Sequence, residues 1–260
     1  MNRKLCEYPL MHEEEIRIYG LRRSGNHAIT NWLISHLLDS GKQVAYLNDL
    51  NHSYPPSYED LLEGSPLPSL KNRVPTPVVA NSGVLVLSFE EGGSKKWAEN
   101  MVGTGCKNIK KVWIKRDPKE VWASRLGRKI NLMRKTETGG RKAQKWEENL
   151  WCRGQRGVFR MLKIWENMFP PHKDTIIIEY EKWNDEKKYR DEVLSKFGLE
   201  NLDKGKDEVP GHGFGSSFDR PPKAGERRYP MLKNHPMMVD FVKQLHNVEK
   251  RIEKTVGTYD

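Results

Sequence analysis

Apolar residues recur along this chain with two periods, and the change from one to the other marks its elements. Ile16 and Ile18 alternate with polar neighbours, as on a strand. Ala28, Ile29, Trp32, Leu33 and Leu37 then recur at the three-to-four spacing of one helix face, with Trp32 directed to the core. Glycine makes a natural stop for that helix near Asp39-Ser40-Gly41. Val44–Leu47 reads as a second strand. Val84-Leu-Val-Leu-Ser-Phe89 is a continuous apolar run, the pattern of a parallel strand buried on both faces. Val112–Ile114 and Thr175–Ile178 read as two more short strands.

Helical spacing follows every strand run except Val44–Leu47. Pro118 suits a first helical turn and Asp117 suits its N-cap, with Val121, Trp122 and Leu126 inward over a helix from Lys119 to about Leu126. Ser94 to Met101 reads as a short helix. Longer helices are expected over about 143–168, over 185–197 closed by Gly198, and over about 231–255. Strands alternating with helices predict an α/β fold around a mostly parallel sheet, in a single domain spanning 1–260. Such sheets bind ligands at the C-terminal ends of their strands.

Two stretches interrupt the pattern. Residues 48–80 are rich in Pro, Ser and Asn, with prolines at 55, 56, 66, 68, 75 and 77, and a loop this long is functional or disordered. Residues 125–145 are very basic: Arg125, Arg128, Lys129, Arg134, Lys135, Arg141, Lys142 and Lys145 stand against Glu137 alone. The second stretch is a solvated lid or a surface for an anionic partner.

Charge narrows the partners. The net charge is +10 and the isoelectric point about 9.4, which implies anionic partners without saying which. Charged residues make up 31% of the chain and apolar ones 36%, so the apolar runs and eight tryptophans suffice for one core. Cys6, Cys106 and Cys152 are far apart and form no C-x-x-C pair, so neither a zinc site nor a disulfide framework is indicated. No apolar leader opens the sequence and no stretch approaches membrane-spanning length, so a cytoplasmic protein without a membrane partner is expected.

The chemistry gathers after the strands. Between the first strand and helix lies Gly20-Leu-Arg22-Arg23-Ser24-Gly25-Asn26-His27. Strand, tight loop and helix aim backbone N–H groups at an anion, and glycine lets the chain approach it closely. The Gly20-x4-Gly25 spacing fits a P-loop, but Asn26-His27 stand where a nucleotide triphosphatase carries Lys-Ser or Lys-Thr. An ordinary strand-to-helix turn is the plain alternative. Glu90 and Glu91 follow the apolar strand, Arg116 and Ser124 follow Val112–Ile114, and Tyr180 follows Ile176–Ile178. In a parallel sheet these clusters converge on one edge as a cationic site containing a carboxylate.

Those landmarks resemble the sulfotransferases that use 3′-phosphoadenosine 5′-phosphosulfate (PAPS) and release 3′,5′-adenosine bisphosphate (PAP). Arg23-Ser24-Gly25-Asn26-His27 is similar to that family's loop for the 5′-phosphosulfate, with Arg22 beside it, although the family usually carries Thr or Ser at the last two positions. Arg116-Asp117-Pro118, with Ser124 eight residues after the arginine, matches its 3′-phosphate element. Tyr180-Glu181 after a strand resembles its adenine contact. Lys223-Ala-Gly225-Glu-Arg227-Arg228 looks like a loose version of the basic loop that closes over the 3′-phosphate.

The resemblance implies a three-layer α/β/α fold like that of the P-loop nucleoside kinases. It also implies transfer of a sulfuryl group to an acceptor hydroxyl or amine, with no metal required. Arg23 and the loop N–H groups would stabilise charge on the leaving oxygen, a kind of donor whose loss typically costs ~2.7–4 kcal/mol in the barrier. Glu90 would be the general base, standing where the cytosolic branch has a histidine and some carbohydrate-acting members a glutamate, with Glu91, His52 or another residue of the 48–80 loop as the alternatives. The acceptor is not named by these motifs, though a sulfated or uronic-acid glycan would suit the basic run. A P-loop kinase is the competing enzyme, disfavoured by Asn26-His27. A non-enzymatic binder of acidic polymer is the third reading. It leaves the ordered strand-end clusters unexplained, and nucleic acid is not expected as a partner.

Overall fold

A computed structural model of the protein describes residues 13–21, 23–50, 83–90, 106, 108–136, 157–159, 161–163, 165–166, 174–200 and 229–256. In chain order the elements are β1 (Glu14–Gly20), α1 (Asn26–Asp39), β2 (Val44–Leu50), β3 (Val84–Glu90), β4 (Ile109–Lys115), α2 (Pro118–Thr136), β5 (Thr175–Glu179), α3 (Tyr180–Asp185), α4 (Lys187–Ser195), α5 (Tyr229–Leu232) and α6 (Pro236–Val256). The fold is α/β. Five strands form a parallel central sheet in the order β2-β3-β1-β4-β5, flanked by helices.

That order makes β1 the point of reversal. The connection leaving β1 leads to β2 on one side, whereas those leaving β3 and β4 lead toward the opposite edge. Ligands of open parallel sheets bind beyond the C-terminal ends of strands at such a point. The register sets Gly20, the last residue of β1, opposite Glu90 of β3 and Ile114 of β4, and Lys115 opposite Glu179 of β5. The strand ends singled out by the sequence therefore align along one edge, and Arg116 is the next residue after β4.

The chain divides into two compact units, residues 1–115 with 172–213 and residues 116–171 with 214–260. In the first, Ile16, Ile18, Val84, Val86, Val112, Ile114 and Ile178 pack one sheet face against Ile29, Leu33 and Leu37 of α1, Trp183 of α3 and Val193 and Leu194 of α4. Leu85, Leu87, Phe89 and Trp113, on alternate positions, are buried too. The run Val84–Phe89 is thus a strand covered on both faces, as its unbroken apolar pattern predicts. In the second unit, Trp122 of α2 stacks on Phe241 of α6 at 5.5 Å between ring centroids.

β1 departs from its simple alternation. Its odd positions include Glu15 and Arg17, which are buried and ion-paired with each other. Glu14 is buried as well and is bound by Lys42 and Lys110.

Helix ends follow local chemistry. After α1, Gly41 takes φ +81°. Its N–H and that of Lys42 donate back to Leu38 O and Leu37 O, the paired bonds of a Schellman stop. Asp117 caps α2 through its carboxylate, which accepts from Lys119 N at 2.8 Å, and Pro118 occupies the first turn.

Several boundaries differ from expectation. β2 runs on to Leu50, so residues 48–50 are strand. α2 continues to Thr136, so the basic run begins as helix; Arg, Lys, Leu and Met are good helix formers and Gly139-Gly140 comes later. The helix expected over 185–197 is α4, which begins at Lys187 after extended Glu186 (φ −117°, ψ 110°), and the short α3 before it was not expected. The last helix begins at Pro236, a favoured first-turn residue, with α5 a separate turn before it. Of the helix expected over 143–168, residues 157–159, 161–163 and 165–166 are described and are helical. The helix expected at Ser94–Met101 and most of the 48–80 stretch lie outside the described residues.

Candidate anion-binding site

The turn from β1 to α1 is closed from within. The carbonyl of Leu21 accepts from three donors: Ser24 N at 3.0 Å, Ser24 Oγ at 2.6 Å and Asn26 Nδ2 at 3.4 Å. Ser24 Oγ also lies 2.7 Å from Asn26 Oδ1, and its one proton is shared between the two acceptors. Ser24 and Asn26 are 1% and 3% exposed, so both side chains are tucked under the loop. The space they fill exists because Gly20 has no side chain. A Cβ there would meet Asn26 Oδ1 at 2.0 Å and Ser24 Oγ at 2.8 Å.

The backbone of the same turn alternates in hand. Arg23 has φ +74° and Gly25 φ +91°, while Ser24 between them is not in the left-handed region. Such alternation turns successive N–H groups toward one side and makes a concave anion nest. A left-handed arginine is held at a cost, of order 1–3 kcal/mol, that the surrounding turn must impose.

The nest opens onto a helix start. Gly25 is the N-cap of α1 and supplies no side-chain cap, and the first turn holds no acidic residue. Backbone N–H groups of a first turn have no intrahelical acceptor, and the helix dipole makes that end positive. Nest and helix start together form the arrangement that holds phosphate-like groups in strand–loop–helix proteins.

Comparison with known proteins adds little to this geometry. No family model matches the chain, and no curated protein matches it. A solved structure, mouse sulfotransferase SULT7A1 complexed with PAP, is similar at 16% identity and a TM-score of 0.40. The match covers 73% of this chain and 60% of that one, so it spans less than two thirds of the solved protein.

The remaining residues singled out by the sequence fall in different places. Arg23, Ser24, Gly25, Asn26, His27 and Tyr180 belong to the first unit, and Arg116 and Ser124 to the second. His27 is the second residue of α1 and half-buried. Arg116 is half-buried, and Ser124 lies buried on α2. Glu90 ends β3 beside Gly20 by register, which fixes its backbone position. Arg22, Glu91, Lys223, Gly225 and Arg227 lie outside the described residues.

Tyr180 joins the loop directly. A Cβ on Gly25 would come within 2.2 Å of both Cδ2 and Cε2 of the Tyr180 ring. Gly25 is therefore required twice, for its φ and for the absence of a side chain against that ring. Local sequence gives no signal of this pairing, nor of the Leu21 carbonyl as the hub of the turn.

Proposed function

We propose that the protein is a PAPS-dependent sulfotransferase. The observation that carries the proposal is the loop from Gly20 to His27, a nest and uncapped helix start with a tucked-in asparagine where ATP-binding loops place a lysine. A sulfuryl group carries one negative charge fewer than a terminal phosphoryl group, so backbone N–H groups and Arg23 suffice where a lysine and magnesium are otherwise needed.

In this reading PAPS supplies an activated sulfuryl group. Arg23 and the N–H groups at the start of α1 hold the 5′ end and stabilise charge on the departing phosphate oxygen. Arg22 adds positive charge beside them. Arg116, at the end of β4, binds the 3′-phosphate as a planar fork, with Ser124 as a second donor. Lys223, Gly225 and Arg227 serve the same phosphate. Glu90, at the end of the strand beside β1, takes the acceptor's proton. The acceptor carries a hydroxyl or amine, and a polyanionic glycan fits the basic run from Arg125 to Lys145.

The test is transfer of label from PAPS to a panel of hydroxyl, amine and sulfated-glycan acceptors in the presence of a chelator. Transfer that survives chelation and is lost in Glu90→Ala supports the proposal. Magnesium-dependent ATP hydrolysis without sulfuryl transfer contradicts it.

A further inference from the structure

We infer that Tyr180 is a positioning residue for the anion loop, acting through Gly25 rather than by touching the nucleotide base. The inference rests on the donor-site reading above for its functional consequence. Its structural part stands on the β5–α3 corner alone.

The corner is built to hold one ring in place. Tyr180 is the first residue of α3, directly after β5. Its ring lies on Gly25, so close that a single added carbon would overlap it. Behind it, Trp183 packs at 5.8 Å from Tyr180 and edge-on at 5.7 Å from Trp32 of α1. Trp183 and Trp32 are 2% and 4% exposed. The loop glycine, α3 and α1 are thus linked through three aromatic rings.

The backbone that carries Tyr180 is fixed from α4. Tyr189 accepts through its hydroxyl oxygen from Glu179 N at 2.9 Å and donates to Ile177 O at 3.3 Å. Arg190, buried, donates from Nη1 to the Trp183 carbonyl at 2.9 Å. Two side chains from one helix therefore bind the residues before and after Tyr180. A six-residue helix has little stability of its own, and these bonds supply the rigidity it lacks.

The consequence concerns the nest. Arg23, beside Gly25, occupies left-handed backbone that is strained for a non-glycine residue, and an unsupported turn would relax from it. The Tyr180 ring covers Gly25 and blocks that relaxation. Donors aimed in advance of binding are worth more than donors that must be ordered by the ligand.

Hydrogen exchange and nucleotide binding test this together, with Tyr180→Phe and Tyr180→Leu in the full chain. In ligand-free protein, amides of residues 23–28 should exchange as in wild type for Phe and markedly faster for Leu. Affinity for 3′,5′-adenosine bisphosphate should be kept by Phe and weakened about tenfold by Leu, the order of one lost hydrogen bond to a charged group. Affinity for 3′-adenosine monophosphate, which lacks the 5′ group, should be the same in all three proteins. Equal losses for both nucleotides would mean that Tyr180 touches the base, and would overturn the inference. Unchanged loop exchange in Tyr180→Leu would overturn it without reference to any ligand. A wild-type protein that binds neither nucleotide overturns the sulfotransferase reading instead.

Discussion

The amide of Asn26 lies over the α-carbon of Gly20, so near that a methyl group on Gly20 would sit 2.0 Å from Asn26 Oδ1. The pair sets the floor of the loop. Asn26 occupies the place of the lysine in ATP-binding loops, yet it is turned inward to Ser24 and the Leu21 carbonyl. Gly20→Ala should push the amide out of that position and destabilise the fold by about 1–3 kcal/mol, as overpacking does. Asn26→Ala removes the nearer obstacle, leaving Ser24 Oγ at 2.8 Å, at the cost of the hydrogen bonds that the amide makes with Ser24 and with Leu21 O. In denaturant titrations the double variant should lose less than the sum of the two single losses, because the sites are in contact. Strict additivity would mean the two residues do not share the space.

Arg23 separates strain from function. Its φ of +74° is unfavourable for an arginine and natural for glycine. Arg23→Gly should leave stability unchanged or raise it by up to about 1 kcal/mol, strain relief being partly offset by the greater freedom of glycine in the unfolded chain. The same variant should bind 3′,5′-adenosine bisphosphate more weakly, since the guanidinium is gone. Melting curves and calorimetric titration on one preparation check both halves, and a large loss of stability would contradict the backbone assignment.

Glu14 should give the fold an acid-sensitive contribution. Burial pushes its carboxyl pKa up, but hydrogen bonds and charge from Lys110 and Lys42 outweigh burial and leave it below the ordinary value. A carboxylate with a depressed folded pKa contributes stability that is present above its unfolded pKa and is lost as pH falls through the folded one. The loss is expected below about pH 4.5, the group's ordinary value. Both lysines are partly exposed, so the contribution is of order 1 kcal/mol or less. Glu14→Gln should flatten stability against pH in that range, read by urea midpoints at pH 3 to 6.

How much of this was legible in the sequence follows from which features are local. The change from period two to period three-to-four, bracketed by Gly20, Gly25 and Gly41, marked β1, the loop and α1. The unbroken run Val84–Phe89 marked a strand buried on both faces, and Asp117-Pro118 marked the start of α2. Each depends on neighbours within a few residues.

Features made by distant residues were not legible. Glu15 and Arg17 are polar neighbours of Ile16 and Ile18, yet they are buried and ion-paired with each other, which no local pattern signals. Tyr180 read as a base contact by resemblance, and its packing on Gly25 joins residues far apart in the chain. Ser24 and Asn26 read as ligand donors, and their side-chain bonds to Leu21 O, which close the turn, gave no local signal.

The central claim is that this loop is made for the 5′ end of a 3′-phosphorylated adenosine donor and not for ATP with magnesium. Thermal unfolding with each ligand tests it most directly. At ~100 times its dissociation constant, 3′,5′-adenosine bisphosphate without metal should stabilise the protein by about 2.7 kcal/mol, and Arg116→Ala should abolish the shift while keeping the unliganded melting temperature. Stabilisation by magnesium-ATP and none by the bisphosphate would contradict the claim.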